Sequence, residues 1–146
     1  MANIITINTA GPTYREAIID LLQSERLPVE DLPLNLTNFF IAMDNGFAVG
    51  AIGLEVYGSA GLLRSLVVKG EYRKMKIGAS LINKIEQLGK SVGLDTIYLL
   101  TETAQQYFTR KGYFNIERKD APALLQQSSE FTHACPASAI LMRKNI

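Results

Sequence analysis

The sequence predicts a mixed α/β fold: a twisted sheet with antiparallel N-terminal strands and a central β-α-β unit. Three observations predict it. Residues 62–68 form a short apolar run ending in the β-branched pair Val67-Val68, as expected of a strand covered on both faces. The segment after it carries Ile77, Leu81, Ile85, Leu88 and Val92, a spacing that lays one apolar stripe along a helix, and residues 97–100 then return to an apolar run. A strand–helix–strand unit implies a parallel connection with the helix packed on the sheet. Upstream, Asp44-Asn45-Gly46 separates two apolar runs, and Asn-Gly in that setting signals a hairpin.

The elements follow in order. Residues 4–7 read as a first strand, broken by Gly11-Pro12. Apolar residues at 14, 17, 18, 21 and 22 predict a helix over 14–24, with Thr13 as N-cap and Glu16 completing a capping box. Leu27-Pro28 ends it, and 28–36 reads as loop with one helical turn at most. Strands are expected at 39–43 and Phe47–Tyr57, then a turn at 58–61 into the 62–68 strand. The helix running to Lys90 closes at Gly93, a residue suited to the left-handed position after a helix. A strand at 97–100, a helix at 101–111 closed by Gly112 and a strand at 113–116 follow. A short helix at 121–129, a loop at 131–136, a last strand at 137–142 and a basic tail complete the chain, with no repeat or linker.

Composition excludes several classes. At 146 residues the chain is read as one domain, 1–146, long enough for a proper core. Hydrophobic content of 47% with 20% charged residues argues against disorder. A net charge of +1 provides no global field for nucleic acid or an anionic membrane, and no apolar run is long enough to span a bilayer. The start MANIITIN lacks the features of a signal peptide. A single cysteine, Cys135, excludes an internal disulfide and fits a reducing compartment; one His and one Cys do not make a usual metal set. A cytoplasmic protein without bound metal is expected. A homodimer is compatible with the sequence, although no pairing edge is visible in it.

The basic cluster Lys69, Arg73, Lys74 and Lys76 therefore needs a local explanation. It sits where the 77–90 helix begins and presents unpaired N–H groups, a combination that binds anions, most often phosphate. An ordinary strand–helix unit with solvated lysines is the competing reading. No G-x-x-x-x-G-K-[ST] is present, so a Walker-type loop is excluded.

Two motifs carry a resemblance. The first is Arg73-Lys74-Met75-Lys76-Ile77-Gly78-Ala79 between strand and helix; the second is Thr103-Ala104-Gln105-Gln106-Tyr107-Phe108-Thr109-Arg110-Lys111-Gly112-Tyr113. They resemble the [Q/R]-x-x-G-x-[G/A] loop and the alanine–aromatic–lysine-glycine-aromatic signature of the GNAT superfamily of acetyl-CoA-dependent N-acetyltransferases. The likeness extends over essentially the whole chain. Leu27-Pro28, Glu30-Asp31-Leu32, Gly53-Leu54-Glu55, Leu62-Leu63-Arg64-Ser65, Leu99-Leu100-Thr101 and Cys135-Pro136-Ala137-Ser138-Ala139 further resemble the arsenic-resistance (ArsN-like) branch. The resemblance implies a GNAT fold and transfer of acetyl from acetyl-CoA to an amine by direct attack. It implies that Leu66, Val67 and Val68 hold the pantetheine arm, with a backbone N–H at Leu66 polarising the carbonyl. It implies that Arg73, Lys74, Lys76, Ile77, Gly78 and Ala79 hold the pyrophosphate.

The chain departs from the pattern twice. Lys76 stands at the loop's first glycine, where it keeps the bond only if its φ is negative. Phe108 stands where the family often places a proton-donating tyrosine; Tyr107 is adjacent, but neighbours on a helix point about 100° apart.

Six side chains are candidates for the acceptor side, together with one base. Arg64 lies inside an apolar strand, either as a clamp for the acid group of a small anionic amino acid or toxic analogue, or paired internally with Glu55 or Asp31. Glu55 is either the general base or that partner. Asp31 is either a contact for the substrate ammonium or an N-cap. Thr101 and Thr103 are hydroxyl contacts or caps, as is Ser138, and Phe108 joins the substrate wall. Glu102 at a helix start is favoured there by the helix dipole in any case. His133 is a fallback acid or base and Cys135 a buried small residue. An amine with a pKa of about 8 keeps a neutral fraction without a strong base. Two competing functions remain: a peptide or protein acetyltransferase, and a non-catalytic acyl-CoA-binding module.

Overall fold

A computed structural model describes residues 4–128, 131 and 138–146. Among them one mixed sheet has the strand order β1-β2-β3-β4-β5-β7-β6. Strands β1 (Ile5–Thr9), β2 (Phe39–Asp44), β3 (Phe47–Tyr57) and β4 (Ala60–Val68) pair antiparallel in sequence order. The β2–β3 turn is the expected hairpin, with Asn45 and Gly46 both at positive φ. β4 and β5 (Thr96–Thr101) are parallel, joined by α2 (Ile77–Ser91). β7 (Ile140–Asn145) lies between β5 and β6 (Phe114–Ile116), antiparallel to both.

Strand alternation sends neighbouring residues to opposite faces. On one face Ile41, Ala51 and Val67 pack against Ile18, Leu21 and Leu22 of α1 (Arg15–Ser24). On the other, Ala42, Ile52 and Leu63 pack against Ile77, Leu81, Ile82 and Ile85 of α2. Phe108 of α3 (Gln105–Arg110) joins this second core, while Leu125 of α4 (Ala123–Gln126) closes a third cluster with Leu62, Tyr98 and Leu141.

Several boundaries differ from the sequence reading. Gly11 at φ 61° and Pro12 open a 3-10 turn over Pro12–Tyr14, so Thr13 lies inside the turn and Tyr14 takes the N-cap without a side-chain bond. The capping box does not form. Val92 is 53% exposed at the end of α2 rather than on its apolar face, and Ile82 takes its place in the core. The helix expected at 101–111 begins at Gln105, because Thr101 is still paired in β5 and its Oγ1 accepts the Ala104 N–H at 3.0 Å. The last strand runs three residues further than expected. Arg143 lies over the Phe114 ring and Lys144 bonds Glu86, so the basic residues are held along β7 by packed stems and partners. His133 and Cys135, most of the 131–136 loop and the start of the 137–142 strand lie outside the described residues.

Candidate active site

β4 and β5 pair only over Ala60–Leu62 with Thr96–Tyr98 and then separate. The gap becomes a cleft of about 660 Å³ between residues 63–68 of one strand and 99–104 of the other. The splay that a strand-held ligand requires is therefore present. Two features of β4 accompany it. Ala51 is opposite Val67, yet Gly53 is opposite Arg64, so β4 carries one extra residue, a β-bulge. Ser65 within it has φ 58°, in the left-handed region. The Lys69 N–H bonds the Val49 carbonyl, and antiparallel alternation then aims the backbone groups of Val67 at β3 and those of Leu66 and Val68 at the cleft. These are strand-edge groups with no strand beside them, facing an open slot, the arrangement by which an extended amide-bearing chain adds to a sheet.

At the far end of β4 the chain makes a 3-10 turn over Gly70–Met75 and enters α2. Lys76 joins the two at φ 61°, ψ 24°. The negative φ at which Lys76 was expected to keep the phosphate bond is not adopted: Lys76 takes the left-handed conformation in which glycine is favoured. A non-glycine residue there costs about 1 kcal/mol or somewhat more. The Lys76 carbonyl accepts the Ser80 N–H at 3.1 Å, leaving the N–H groups of Ile77, Gly78 and Ala79 without helical partners beside exposed Lys74 and Lys76. Arg73, also exposed, pairs across the cleft mouth with Glu25 and donates through Nε to the Val68 carbonyl at 3.4 Å. An exposed pair of this kind is worth little, and Arg73 is free to exchange it for a phosphate.

Tyr107 and Phe108 both reach the cleft wall. Phe108 is 5% exposed, with its ring edge-on to Tyr107 at 5.4 Å and to Tyr113 at 5.6 Å, so it forms the floor rather than a polar contact. Tyr107 supplies the hydroxyl. Its oxygen lies where a Cβ on Gly78 would be 2.7 Å away, at the first turn of α2. Burial raises the Tyr107 pKa above its ordinary value, against an opposing pull from Arg110, so the group stays protonated at neutral pH.

The acceptor-side candidates are brought together, but not as free groups. Arg64 is 3% exposed. Its Nη1 and Nη2 each donate to Asp31 at 2.8 Å, Nη1 also donates to Glu55 Oε2 at 2.6 Å, and Nε donates to Ser65 Oγ at 3.0 Å. Glu55 Oε1 accepts the Tyr57 hydroxyl. The clamp reading of Arg64 is corrected to internal pairing, because both carboxylates proposed as alternative partners hold it at once. Asp31 spends both oxygens on that fork, so the ammonium contact is corrected with it, and each Glu55 oxygen already accepts a strong donor. The side chains left at the cleft wall are Arg26, Glu102, Thr101 and Thr103. Glu102 accepts the Ser138 hydroxyl at 2.9 Å. Arg26 is exposed at φ 59° just after Glu25, the C-cap of α1, where the Leu27 N–H reaches the Leu22 carbonyl at 2.9 Å and the Arg26 N–H the Gln23 carbonyl at 3.1 Å. That is the double closure that glycine usually completes. Sequence reasoning missed Arg26, the Ser65 bulge and the orientation of Tyr107; a cation at a helix-closing position before Leu-Pro was the available signal for the first.

Residues 35–114 match the acetyltransferase (GNAT) domain family. The chain belongs to the GNAT acetyltransferase family. Among curated relatives, an uncharacterized N-acetyltransferase of Chlorobaculum tepidum is 30% identical over 95 residues, covering 64% of this chain and 61% of that protein. An amino-acid acetyltransferase of Aeromonas salmonicida is 23% identical over 100 residues, covering 67% of this chain and 23% of that protein. The GNAT chain thus spans less than two thirds of the length of the curated relatives it matches. Among solved structures, N-acetylglutamate synthase from Neisseria gonorrhoeae with coenzyme A and N-acetyl-glutamate superposes with a TM-score of 0.83 at 14% identity, covering 99% of this chain and 36% of that one. A GNAT-family acetyltransferase from Staphylococcus aureus Mu50 gives 0.77 at 24% identity, covering 97% and 99%. The fold is the GNAT fold.

Proposed function

We propose that this GNAT domain transfers acetyl from acetyl-CoA to the amino group of a small amino acid or a related toxic analogue, by direct attack within a ternary complex. The observation that carries the reading is the β4–β5 cleft, lined by the strand-edge groups of Leu66 and Val68 and ending at the cationic start of α2. The pantetheine arm pairs with Leu66 and Val68 beside the Val67 side, and the pyrophosphate rests on the N–H groups of Ile77, Gly78 and Ala79 with Arg73, Lys74 and Lys76 nearby. Membership in the family and the coenzyme A bound by several solved relatives support this assignment.

The chain's own groups supply the chemistry. The Leu66 N–H faces the cleft, where it stabilises charge growing on the thioester oxygen. The amine attacks in its neutral form, the acyl carbon–sulfur bond breaks, and the departing thiolate takes a proton from Tyr107, which fills the role that Phe108 cannot. The amine's excess proton leaves to solvent or to Glu102, since Glu55 is engaged by Arg64 and Tyr57.

Arg26 takes the anion contact that was one of the two readings of Arg64, and with Glu102 on the opposite wall the cleft presents both signs that a zwitterion needs. The names of the amino-acid acetyltransferase and the N-acetylglutamate synthase support an amino acid acceptor. The arsenic-resistance branch rests on the sequence segments and adds acidic amino acid analogues. The test is an amine screen by CoA release with amino acids, their amides and lysine-containing peptides. Turnover confined to free amino acids upholds the reading; turnover confined to peptides refutes the acceptor class.

A further inference from the structure

The buried charges beneath the cleft have no role in the transfer described so far. Arg64, Asp31 and Glu55 form one cluster, and the guanidinium also lies 6.0 Å over the Phe39 ring. Phe39, Gly53 and Arg64 are opposite one another on β2, β3 and β4, and only glycine at 53 lets the Phe39 ring lie across the strand: a Cβ there would be 2.4 Å from it. Each partner of the guanidinium belongs to a different part of the site. Asp31 is on the loop that, with Arg26, Leu27 and Pro28, forms the acceptor-side wall. Glu55 is on β3. Ser65, bonded through its hydroxyl, is the left-handed residue of the bulge. Buried ion clusters are poor sources of stability, and well-packed apolar residues of similar volume often serve as well. The guanidinium's fixed fork does something apolar residues cannot: it holds several elements at set angles.

We propose that Arg64 is a positioning residue for the transfer reaction: it locks the Ser65 bulge to the acceptor-side loop through Asp31 and thereby sets the direction of the Leu66 N–H. The bulge requires a serine in a conformation that serine resists, so β4 has an incentive to lose it. A strand that slips by one residue reverses every inward and outward group, which turns the Leu66 N–H from the cleft to β3. The Nε bond to Ser65 opposes that slip from the strand's own side, and the two bonds to Asp31 carry the position of the loop into the bulge. Closing the loop on an acceptor and aligning the thioester carbonyl then become one event.

Two variants of the full chain test this. Asp31→Asn keeps the packing and one acceptor oxygen while removing the charge and the second bond; Arg64→Lys keeps the charge and removes the fork. The first readout is amide hydrogen exchange at Val67, whose pairing with Ala51 exists only in the bulged register, normalised to Leu99 and Met142 in β5 and β7. The expected result is an increase of about tenfold or more at Val67 relative to those amides. A ratio of Val67 exchange to those amides that stays as in the unmodified chain overturns the proposal, and this readout needs no turnover. The second readout, which rests on the proposed function, is steady-state kinetics: kcat falls by about tenfold or more while acetyl-CoA affinity stays within about twofold. Unchanged kcat per folded molecule overturns the proposal as well. An unmodified chain that transfers acetyl to no amine refutes the proposed function, and Val67 exchange still decides the coupling. Should Arg64→Lys fail to fold, Asp31→Asn decides it alone.

Discussion

The Tyr107 hydroxyl rests against the first turn of α2 at Gly78, where a Cβ would lie 2.7 Å from it. This contact explains why residue 78 is glycine for a reason beyond phosphate approach. It also places the Tyr107 hydroxyl beside the strand that carries Leu66 and Val68. Tyr107→Phe should lower kcat by about a hundredfold if it delivers the thiolate's proton, with acetyl-CoA affinity nearly unchanged. Phe108→Tyr should add little, because its ring is packed into the core. Stopped-flow measurement of acetyl transfer with both variants checks the assignment.

Lys76→Gly should raise stability by about 1 kcal/mol, because the left-handed loop position no longer strains a side chain. The same variant should weaken CoA binding at low salt by a few-fold, through loss of one ammonium near the pyrophosphate. Thermal unfolding and CoA titration on one sample separate the two effects.

Gly53→Ala should destabilise the protein by about 1–3 kcal/mol, since the added methyl meets a buried ring rather than a flexible chain end. Its ideal Cβ falls 2.4 Å from two Phe39 ring atoms. Urea unfolding measures the loss, and Phe39→Leu in the same background should recover part of it.

Stability should fall as pH rises above 10. Burial, followed by the Glu86 carboxylate, raises the Tyr113 pKa; burial, followed by the Glu55 hydrogen bond, raises that of Tyr57; burial raises that of Tyr107. A folded-state pKa above the unfolded value of about 10 means that the unfolded chain ionises first. The stabilisation is complete below pH 10 and is lost through the range up to the folded values. Melting temperatures between pH 8 and 11.5 should show this decline, and Tyr113→Phe should make it shallower.

The parts legible in the sequence were those written in local patterns. The Asn45-Gly46 hairpin, the 62–68 strand and the α2 stripe each depend on neighbours within a few turns of chain. The parts not legible depend on distant partners or on unusual dihedrals. Arg64 meets Asp31 across 33 positions, and no spacing rule pairs them. Ser65 and Lys76 hold left-handed dihedrals that their side chains do not advertise. β7 inserts between β5 and β6, an order fixed by sheet pairing after the chain has left both. The two readings of Arg64 stayed open for a related reason: an arginine inside an apolar strand marks a buried pair as readily as a ligand contact. Arg26 is marked only by its place, a cation at a helix-closing position before Leu27-Pro28.

On the proposed function, the β4–β5 cleft and the start of α2 form one acetyl-CoA site. Calorimetric titration with acetyl-CoA, beside CoA and ATP, tests it most directly. The expected result is one-to-one binding of acetyl-CoA and CoA, markedly weaker binding of ATP, and loss of both CoA ligands in Gly78→Trp. Absence of acetyl-CoA binding, or binding that Gly78→Trp leaves unchanged, contradicts it.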